Sequence, residues 1–188
     1  MNLRRLSVLF ASLLLAGCPG WWHTREDPEV VEYVNIERYM GLWYEVASIP
    51  IRGQRGCVAS TARYTLQDNG RVHVLNQCRS ESFDGSLRQI EGTARIIDTD
   101  TNARLKITFF WPLSAQYWIV DLDEDYAWAV VSGPGIRTLW ILSRTPCMED
   151  PLYQQILGRL GARNFPVEAL SPTPQQDPDG QPCLVSSH

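Results

Sequence analysis

Apolar and polar residues alternate between residues 42 and 144, in short runs that are separated by turn-forming residues. A period of two is typical of strands that bury one face. Eight such runs are present: 42–50, 57–67, 71–79, 88–98, 103–110, 116–122, 126–132 and 137–144. The connections are short, and Asn69-Gly70 is a strong hairpin signal because both central residues of a type I′ turn need positive φ. The pattern therefore predicts an antiparallel meander.

A meander of eight strands exposes two unpaired edges unless it closes on itself. We therefore predict an all-β fold, an eight-stranded antiparallel up-and-down barrel, whose interior has room for side chains or one small ligand. Downstream, apolar residues recur at helical spacing: Leu152, Ile156, Leu157 and Leu160. This predicts one C-terminal α-helix over residues 148–164, packed outside the barrel. Residues 171–188 form a Pro-rich tail that we expect to be extended and mobile.

The first 17 residues have the pattern of a cleaved secretory signal. Arg4 and Arg5 precede a mostly apolar run over residues 6–16, which is too short to span a bilayer of about 30 Å as a helix. The run ends in Leu15-Ala16-Gly17-Cys18, which resembles the lipobox of bacterial lipoproteins. An ordinary signal peptide with a chance cysteine near its end is the alternative.

The lipobox resemblance implies that Cys18 is diacylated and becomes the new amino terminus after cleavage. Pro19 follows the cysteine, where an Asp would resemble an inner-membrane retention signal. We therefore expect a lipid anchor in the outer membrane, with the protein facing the periplasm. Residues 18–33 would be the lipidated cysteine and its tether, whose Trp21-Trp22 pair suits a head-group region or a plain linker equally.

Composition and charge limit the classes of partner. The 188 residues are 44% hydrophobic and 20% charged, which is typical of one globular domain rather than a disordered chain. The net charge is −4, and Lys and Arg form no cluster, so nucleic acid is excluded as a partner because phosphate neutralisation needs a basic face. Three scattered His residues give little support for a metal site, and no cofactor is expected.

Four cysteines remain besides Cys18, and an even number in an exported chain indicates two disulfides. We favour Cys57–Cys78, because both residues lie in one predicted hairpin, with Cys147–Cys183 as the second pair. A competing pattern, Cys57–Cys183, would tie the tail to the barrel instead.

Three blocks of sequence resemble the signatures of the lipocalin family, in the family's order and spacing. Residues 39–50 hold Gly41-Leu42-Trp43 at the first strand, Asp123-Glu124-Asp125-Tyr126 precedes the seventh, and residues 139–146 end the eighth with Arg144. The resemblance covers about residues 34–170, the predicted lipocalin domain, and implies the lipocalin calyx. Bacterial outer-membrane lipoprotein lipocalins resemble the chain more closely than apolipoprotein D does.

Some of these residues are expected to serve the fold first. Alternation points Trp43 into the closed end of the barrel, and Arg144 lying over its ring would form a cation–π plug beside Gly41. Glu45 shares the parity of Trp43, so it would be an inward carboxylate. We expect a hydrogen-bonded structural acid there rather than a catalytic group.

The ligand pocket is predicted from strand parity together with the apolipoprotein D resemblance. The candidate lining residues are Tyr64, Asn76, Tyr117 and Trp140. Aromatic walls with few polar groups suit an acyl chain whose head sits at the mouth. Plain barrel packing is the alternative at each position.

Three functions compete at this point. The resemblance favours a lipid-binding carrier for a fatty acid or lysophospholipid, not an enzyme, and raises a homodimer as an expectation. A second hypothesis is an enzyme that uses Glu45 with Tyr64 or Tyr117, on a chain that has no nucleophile elbow. A third is a periplasmic protein-binding lipoprotein that uses an apolar mouth around Trp111, in a loop that could also gate the mouth or meet a membrane.

Overall fold

A computed structural model describes residues 26–183, so the predicted signal peptide and the predicted lipidation at Cys18 lie outside the described residues. The strands run in chain order as follows: β1 Gly41–Ser48, β2 Cys57–Leu66, β3 Val72–Ser80, β4 Leu87–Ile96, β5 Arg104–Phe110, β6 Leu113–Leu122, β7 Trp128–Ser132, β8 Leu139–Ser143 and β9 Ser171–Pro172. The helices are α1 Ile36–Tyr39 and α2 Asp150–Ala162. None of the helices in this part of the chain is long and apolar enough to cross a membrane.

Strands β1 to β8 close into a barrel, as the alternating pattern predicts. Each strand pairs antiparallel with the next, and β1 pairs with both β2 and β8. The β1–β2 seam is short, and runs only from Gly41 opposite Tyr64 to Tyr44 opposite Thr61. Closure removes the free edges of the first and last strands, so the prediction of a closed eight-stranded antiparallel barrel is confirmed.

The two ends of the barrel differ. At the end of the barrel where β1 starts and β8 ends, α1 packs and buries Tyr39 under the barrel, and we call this end the closed end. The open end lies at the opposite ends of the same strands. Its loops span residues 49–56, 81–86, 111–112 and 133–138.

Helix α2 packs on the outer face of the barrel, as predicted. Tyr153, Ile156 and Leu160 are almost fully buried, and lie in one apolar cluster with outward-facing residues of the barrel such as Val130 and Ile141. A separate apolar cluster fills the barrel's interior around Trp43. The interior cluster occupies the closed end, and the open end is left to a cavity.

The predicted tail begins with an extended stretch that is bonded to the barrel, and the mobility expected of the tail as a whole stays a prediction. Residues 171–175, which we call the C-terminal strap, lie between β1 and β2 where these strands diverge. The Thr173 amide donates to the Val46 carbonyl at 2.9 Å, and the Ala59 amide donates to the Pro174 carbonyl at 2.8 Å. The strap is held because it satisfies backbone groups that the short β1–β2 seam leaves unpaired.

Two disulfides reinforce this arrangement. Cys57–Cys78 joins β2 to β3, and Cys147–Cys183 ties the chain beyond the strap to the segment before α2. These are the pairings that the sequence favoured, and the competing Cys57–Cys183 pair is not formed. The second bridge lies beyond the C-terminal end of the strap.

Candidate ligand-binding cavity

The open half of the barrel encloses a cavity of about 460 Å³. This volume lies within the range of roughly 300–1,000 Å³ that is usual for small-molecule sites. The four residues that the sequence placed in the pocket all line it: Tyr64, Asn76, Tyr117 and Trp140. Ile107, Phe109 and Leu142 make the wall largely apolar. Polar side chains, among them Asn76 and Gln116, interrupt this apolar wall.

Tyr64 and Tyr117 line the cavity on its closed-end side, and the Tyr39 hydroxyl is bonded behind them. Tyr64 donates to the Tyr117 oxygen at 3.0 Å, and the Tyr39 and Tyr117 oxygens are 2.8 Å apart. We call these residues the tyrosine cluster. Tyr39 comes from α1 rather than from a strand, so strand alternation could not have placed it there. The cluster separates the cavity from Trp43, whose ring centroid lies 4.9 Å from that of Tyr39.

Burial raises the pKa of each phenol in the tyrosine cluster well above its ordinary value, because a phenolate would be poorly solvated there. The unfolded chain releases these protons near pH 10, whereas the folded chain retains them. Stability is therefore fully present below about pH 10 and is lost as the pH rises further.

We expect the free energy of unfolding to fall steeply above about pH 10, and Tyr64→Phe to make that fall shallower. Denaturant titrations between pH 9 and 11, with phenolate absorbance recorded on the folded protein, measure both effects. Titration of the cluster near pH 10 while the barrel is still folded would contradict this prediction.

Glu45 lies in the cavity wall and accepts hydrogen bonds on both carboxylate oxygens, and its structural rather than catalytic role stays a prediction. Ser48 and Thr173 donate to its Oε1 at 2.9 and 2.6 Å, and Gln54 donates to its Oε2 at 2.8 Å. The Gln54 oxygen accepts in turn from the Trp140 indole at 3.2 Å. Since both carboxylate oxygens are engaged, Glu45 links β1, the mouth loop, the C-terminal strap and β8.

Trp43 and Arg144 form a plug at the closed end. The guanidinium carbon of Arg144 lies 3.8 Å from the centroid of the Trp43 ring, and its nitrogens donate to the Leu42 and Arg38 carbonyls at 2.9 and 2.8 Å. The Trp43 indole donates to the Tyr39 carbonyl at 2.9 Å. Gly41 has a φ of 101°, and a Cβ there would lie 3.3 Å from an Arg144 nitrogen, so glycine suits the site.

The loop of residues 49–56 crosses the mouth of the cavity. Arg88, which lines the mouth from β4, donates to the Gly53 and Arg55 carbonyls, both at 2.9 Å. Gln54 on the same loop reaches Glu45 and Trp140 as described above. Neither Arg88 nor Gln54 was predicted to line the cavity, although Arg88 has the same parity on β4 as Ile90, which also lines it. Arg88 places a cation at the cavity entrance.

The described residues offer no metal centre. No group of three or more His, Cys, Asp or Glu among residues 26–183 is arranged to hold a metal ion. The chemistry that these side chains support is apolar enclosure with hydrogen bonding on the closed-end side and a cation at the mouth.

Comparisons with known proteins agree with this arrangement. Residues 34–175 match the family model described as a lipocalin-like domain. The chain is 38% identical over 162 residues to temperature-induced lipocalin-1 of Arabidopsis thaliana, covering 81% of this chain and 86% of the relative. It is 35% identical over 175 residues to the outer membrane lipoprotein Blc of Vibrio cholerae, covering 93% and 100%. Bovine apolipoprotein D is 35% identical over 157 residues, covering 79% and 80%.

Solved structures show the same fold. Insecticyanin from the tobacco hornworm superposes with a TM-score of 0.68 at 16% identity, covering 84% of this chain and 89% of that one. At this identity the likeness concerns the fold alone. With the family model spanning most of the chain and the barrel, plug and cavity in place, the chain belongs to the lipocalin family.

Proposed function

We propose that this protein carries a single-chain lipid, a fatty acid or a lysophospholipid, in the barrel. The observation that carries the proposal is the largely apolar cavity inside the barrel, which has the Arg88 cation at its mouth and the Tyr64 and Tyr117 hydroxyls at its closed-end side. Burying a 16-carbon chain contributes roughly 13 kcal/mol before the costs of association are subtracted. An acyl chain would occupy the apolar middle, with its polar head at the open end.

The proposal extends to location and role. A lipid anchor at Cys18 would hold the carrier on the periplasmic face of the outer membrane, for lipid storage or transport and membrane maintenance. The lipobox resemblance supports this, and the V. cholerae relative is named as an outer membrane lipoprotein. A homodimer stays a prediction, which the mass of the intact soluble protein tests.

We propose a carrier rather than an enzyme. Glu45 is the acid that the sequence singled out for chemistry, and its carboxylate is occupied by three donors on neighbouring elements. A carrier returns its ligand unchanged. Mass analysis of a lipid that has been incubated with the protein and extracted from it should therefore show the starting mass, and a new product would overturn this part of the proposal.

Native mass spectrometry tests the lipid proposal directly. The mature chain with Cys18→Ser, which we call the soluble form, is measured before and after delipidation. We expect a bound mass that matches a fatty acid or lysophospholipid, that is lost on delipidation and that returns when the lipid is added back. An intact, empty protein that refuses every long-chain lipid would overturn the proposal.

A matched pair of variants ties binding to the cavity. Ala115 and Ser114 are neighbouring exposed residues of β6, of which Ala115 lines the cavity and Ser114 does not. Ala115→Trp places an indole in the cavity, where it takes up space that the lipid would fill. We therefore expect lipid affinity to fall at least about tenfold, which corresponds to about 1.4 kcal/mol. Ser114→Trp adds the same side chain outside the cavity and should bind lipid as the parent does. Equal binding by both variants would place the lipid elsewhere.

A further inference from the structure

Exposed apolar side chains gather on one side of the open end. They belong to β4 and to the β5–β6 hairpin, which neighbour each other in the barrel, and we call them the apolar rim: Leu87, Ile90, Phe110, Trp111 and Leu113. Trp111 at the tip of the hairpin is 89% exposed, and Phe110 and Leu113 beside it are 59% and 55% exposed. A contiguous exposed patch of this kind marks an interaction surface.

The N-terminal segment enters the fold from the open end. The Asp27 carboxylate accepts from the Gly135 amide at 3.0 Å, in the open-end loop between β7 and β8. The segment then runs along the barrel, and the Val34 amide donates to the Thr101 carbonyl at 2.8 Å in a closed-end loop. The chain that precedes residue 26 is therefore attached on the open-end side.

The length of that preceding chain suits contact between the rim and a membrane. Cys18 stands eight residues before Glu26, so the chain between them can span at most about 29 Å when it is fully extended. The β7–β8 loop lies at the level of Trp118, because Trp118 of β6 pairs with Ser132 at the end of β7. From Trp118, β6 continues five residues to Leu113, so the apolar rim lies roughly 16 Å beyond that loop along the strand. A lipid anchor at Cys18 therefore reaches the level of the apolar rim.

Charge distinguishes the two ends in the same sense. The open-end loops carry three Arg residues and two acidic residues, and Asp27 of the N-terminal segment lies against one of these loops, so this end is close to neutral. The closed-end loops, residues 35–40, 67–71, 97–103, 123–127 and 144–149, carry eight acidic residues and three Arg residues. An anionic surface would therefore repel the closed end and would not repel the open end.

We infer that the open end of the barrel docks on a lipid bilayer, with Phe110, Trp111 and Leu113 inserted at the head-group level. Aromatic side chains favour this depth, and Arg88, which lies between the rim residues Leu87 and Ile90 on β4, favours anionic lipids. The mouth of the cavity then faces the bilayer, so a lipid passes between the two without crossing bulk water. The docking surface does not depend on what the cavity holds, although the match in chain length rests on the anchor at Cys18 in the proposed function.

Vesicle flotation with the soluble form tests the inference, because without acyl chains any binding must come from the protein surface. The vesicles contain phosphatidylethanolamine and phosphatidylglycerol in a 3:1 ratio, a choice that follows from the need for anionic lipid. We expect the double variant Phe110→Ser with Trp111→Ser to weaken vesicle binding at least about tenfold, which corresponds to a loss of about 1.4 kcal/mol. Tyr33→Ser serves as the control, because Tyr33 is 60% exposed beside Val34 at the closed end, and it should bind as the parent does.

Two further measurements make the test decisive. Bromine-labelled acyl chains should quench the tryptophan fluorescence of the parent and quench that of Trp111→Phe less, which locates Trp111 in the bilayer. Unchanged thermal melts show that the rim variants are folded. The inference is overturned if the rim variant binds vesicles as well as the parent does. It is also overturned if the parent binds no vesicles, as it would if the rim bound a protein instead.

The proposed function can fail separately from this inference. If Ala115→Trp and the parent bind vesicles equally and neither takes up lipid, the docking surface stands and the carrier proposal falls. If lipid uptake depends on Ala115 and vesicle binding is independent of the rim, the carrier stands and the docking surface falls.

Discussion

Replacing Trp43 with Ala is expected to lower the free energy of unfolding by about 3–5 kcal/mol, the usual cost of removing a buried tryptophan. Trp43 is fully buried between the tyrosine cluster and Arg144. Its loss would leave a cavity beneath the guanidinium and remove both the cation–π contact and the indole hydrogen bond to Tyr39. Denaturant unfolding, followed by far-UV circular dichroism, measures the change.

Trp111 provides the matched control for this substitution. Trp111→Ala removes the same side chain from a site that is 89% exposed, and should change stability by less than about 0.5 kcal/mol. Arg144→Lys separates the two parts of the plug, because a lysine keeps the charge and loses the planar donors that reach two carbonyls. A cost below about 1 kcal/mol for Trp43→Ala would mean that the plug does not stabilise the barrel.

Removing the Cys147–Cys183 bridge with two serine substitutions is the second large effect we expect. The bridge spans 36 residues, and closing a loop of that length is worth about 4 kcal/mol on the chain-entropy model. Its loss also frees the far end of the C-terminal strap, so Thr173 should leave the Glu45 carboxylate more often. Denaturant midpoints measure the first effect, and faster exchange of the Thr173 amide hydrogen measures the second.

The other disulfide gives the control. Cys57→Ser with Cys78→Ser should also reduce stability, by about 3 kcal/mol for its 21-residue span. It should leave exchange at Thr173 governed by global unfolding alone, because this bridge does not touch the strap. If both double variants loosen Thr173 to the same degree relative to their stability, the Cys147–Cys183 bridge does not hold the strap in particular.

The parts of the structure that alternation specifies could be predicted from the sequence. The strands, the closed barrel and the outer helix follow from local periodicity, and β2 begins at Cys57 where the pattern places it. The observed strand boundaries differ from the predicted ones where a turn occupies residues that the alternating pattern assigned to a strand. Strand β7 begins at Trp128 rather than 126, because Tyr126 adopts a φ of 62° in the preceding turn.

Contacts between residues far apart in the chain could not be predicted. Thr173 and Gln175 reach Glu45 across 128 and 130 residues, and nothing in a Pro-rich tail indicates such a partner. Tyr39 escaped prediction because it lies on a single helical turn, too short to show a period. Among the pocket residues, strand parity proposed Tyr64 and Tyr117, but their shared hydrogen bonds depend on how the barrel closes.

The C-terminal strap has a consequence for the order in which the molecule is made. Gln175 donates to the carbonyls of Glu45 and Ser60, and so completes the wall that the short β1–β2 seam leaves open. Residues 171–175 are synthesised more than 100 residues after β1, so the wall stays incomplete while most of the barrel is already available to fold. The wall of the cavity can therefore be completed only after residue 175 has been synthesised.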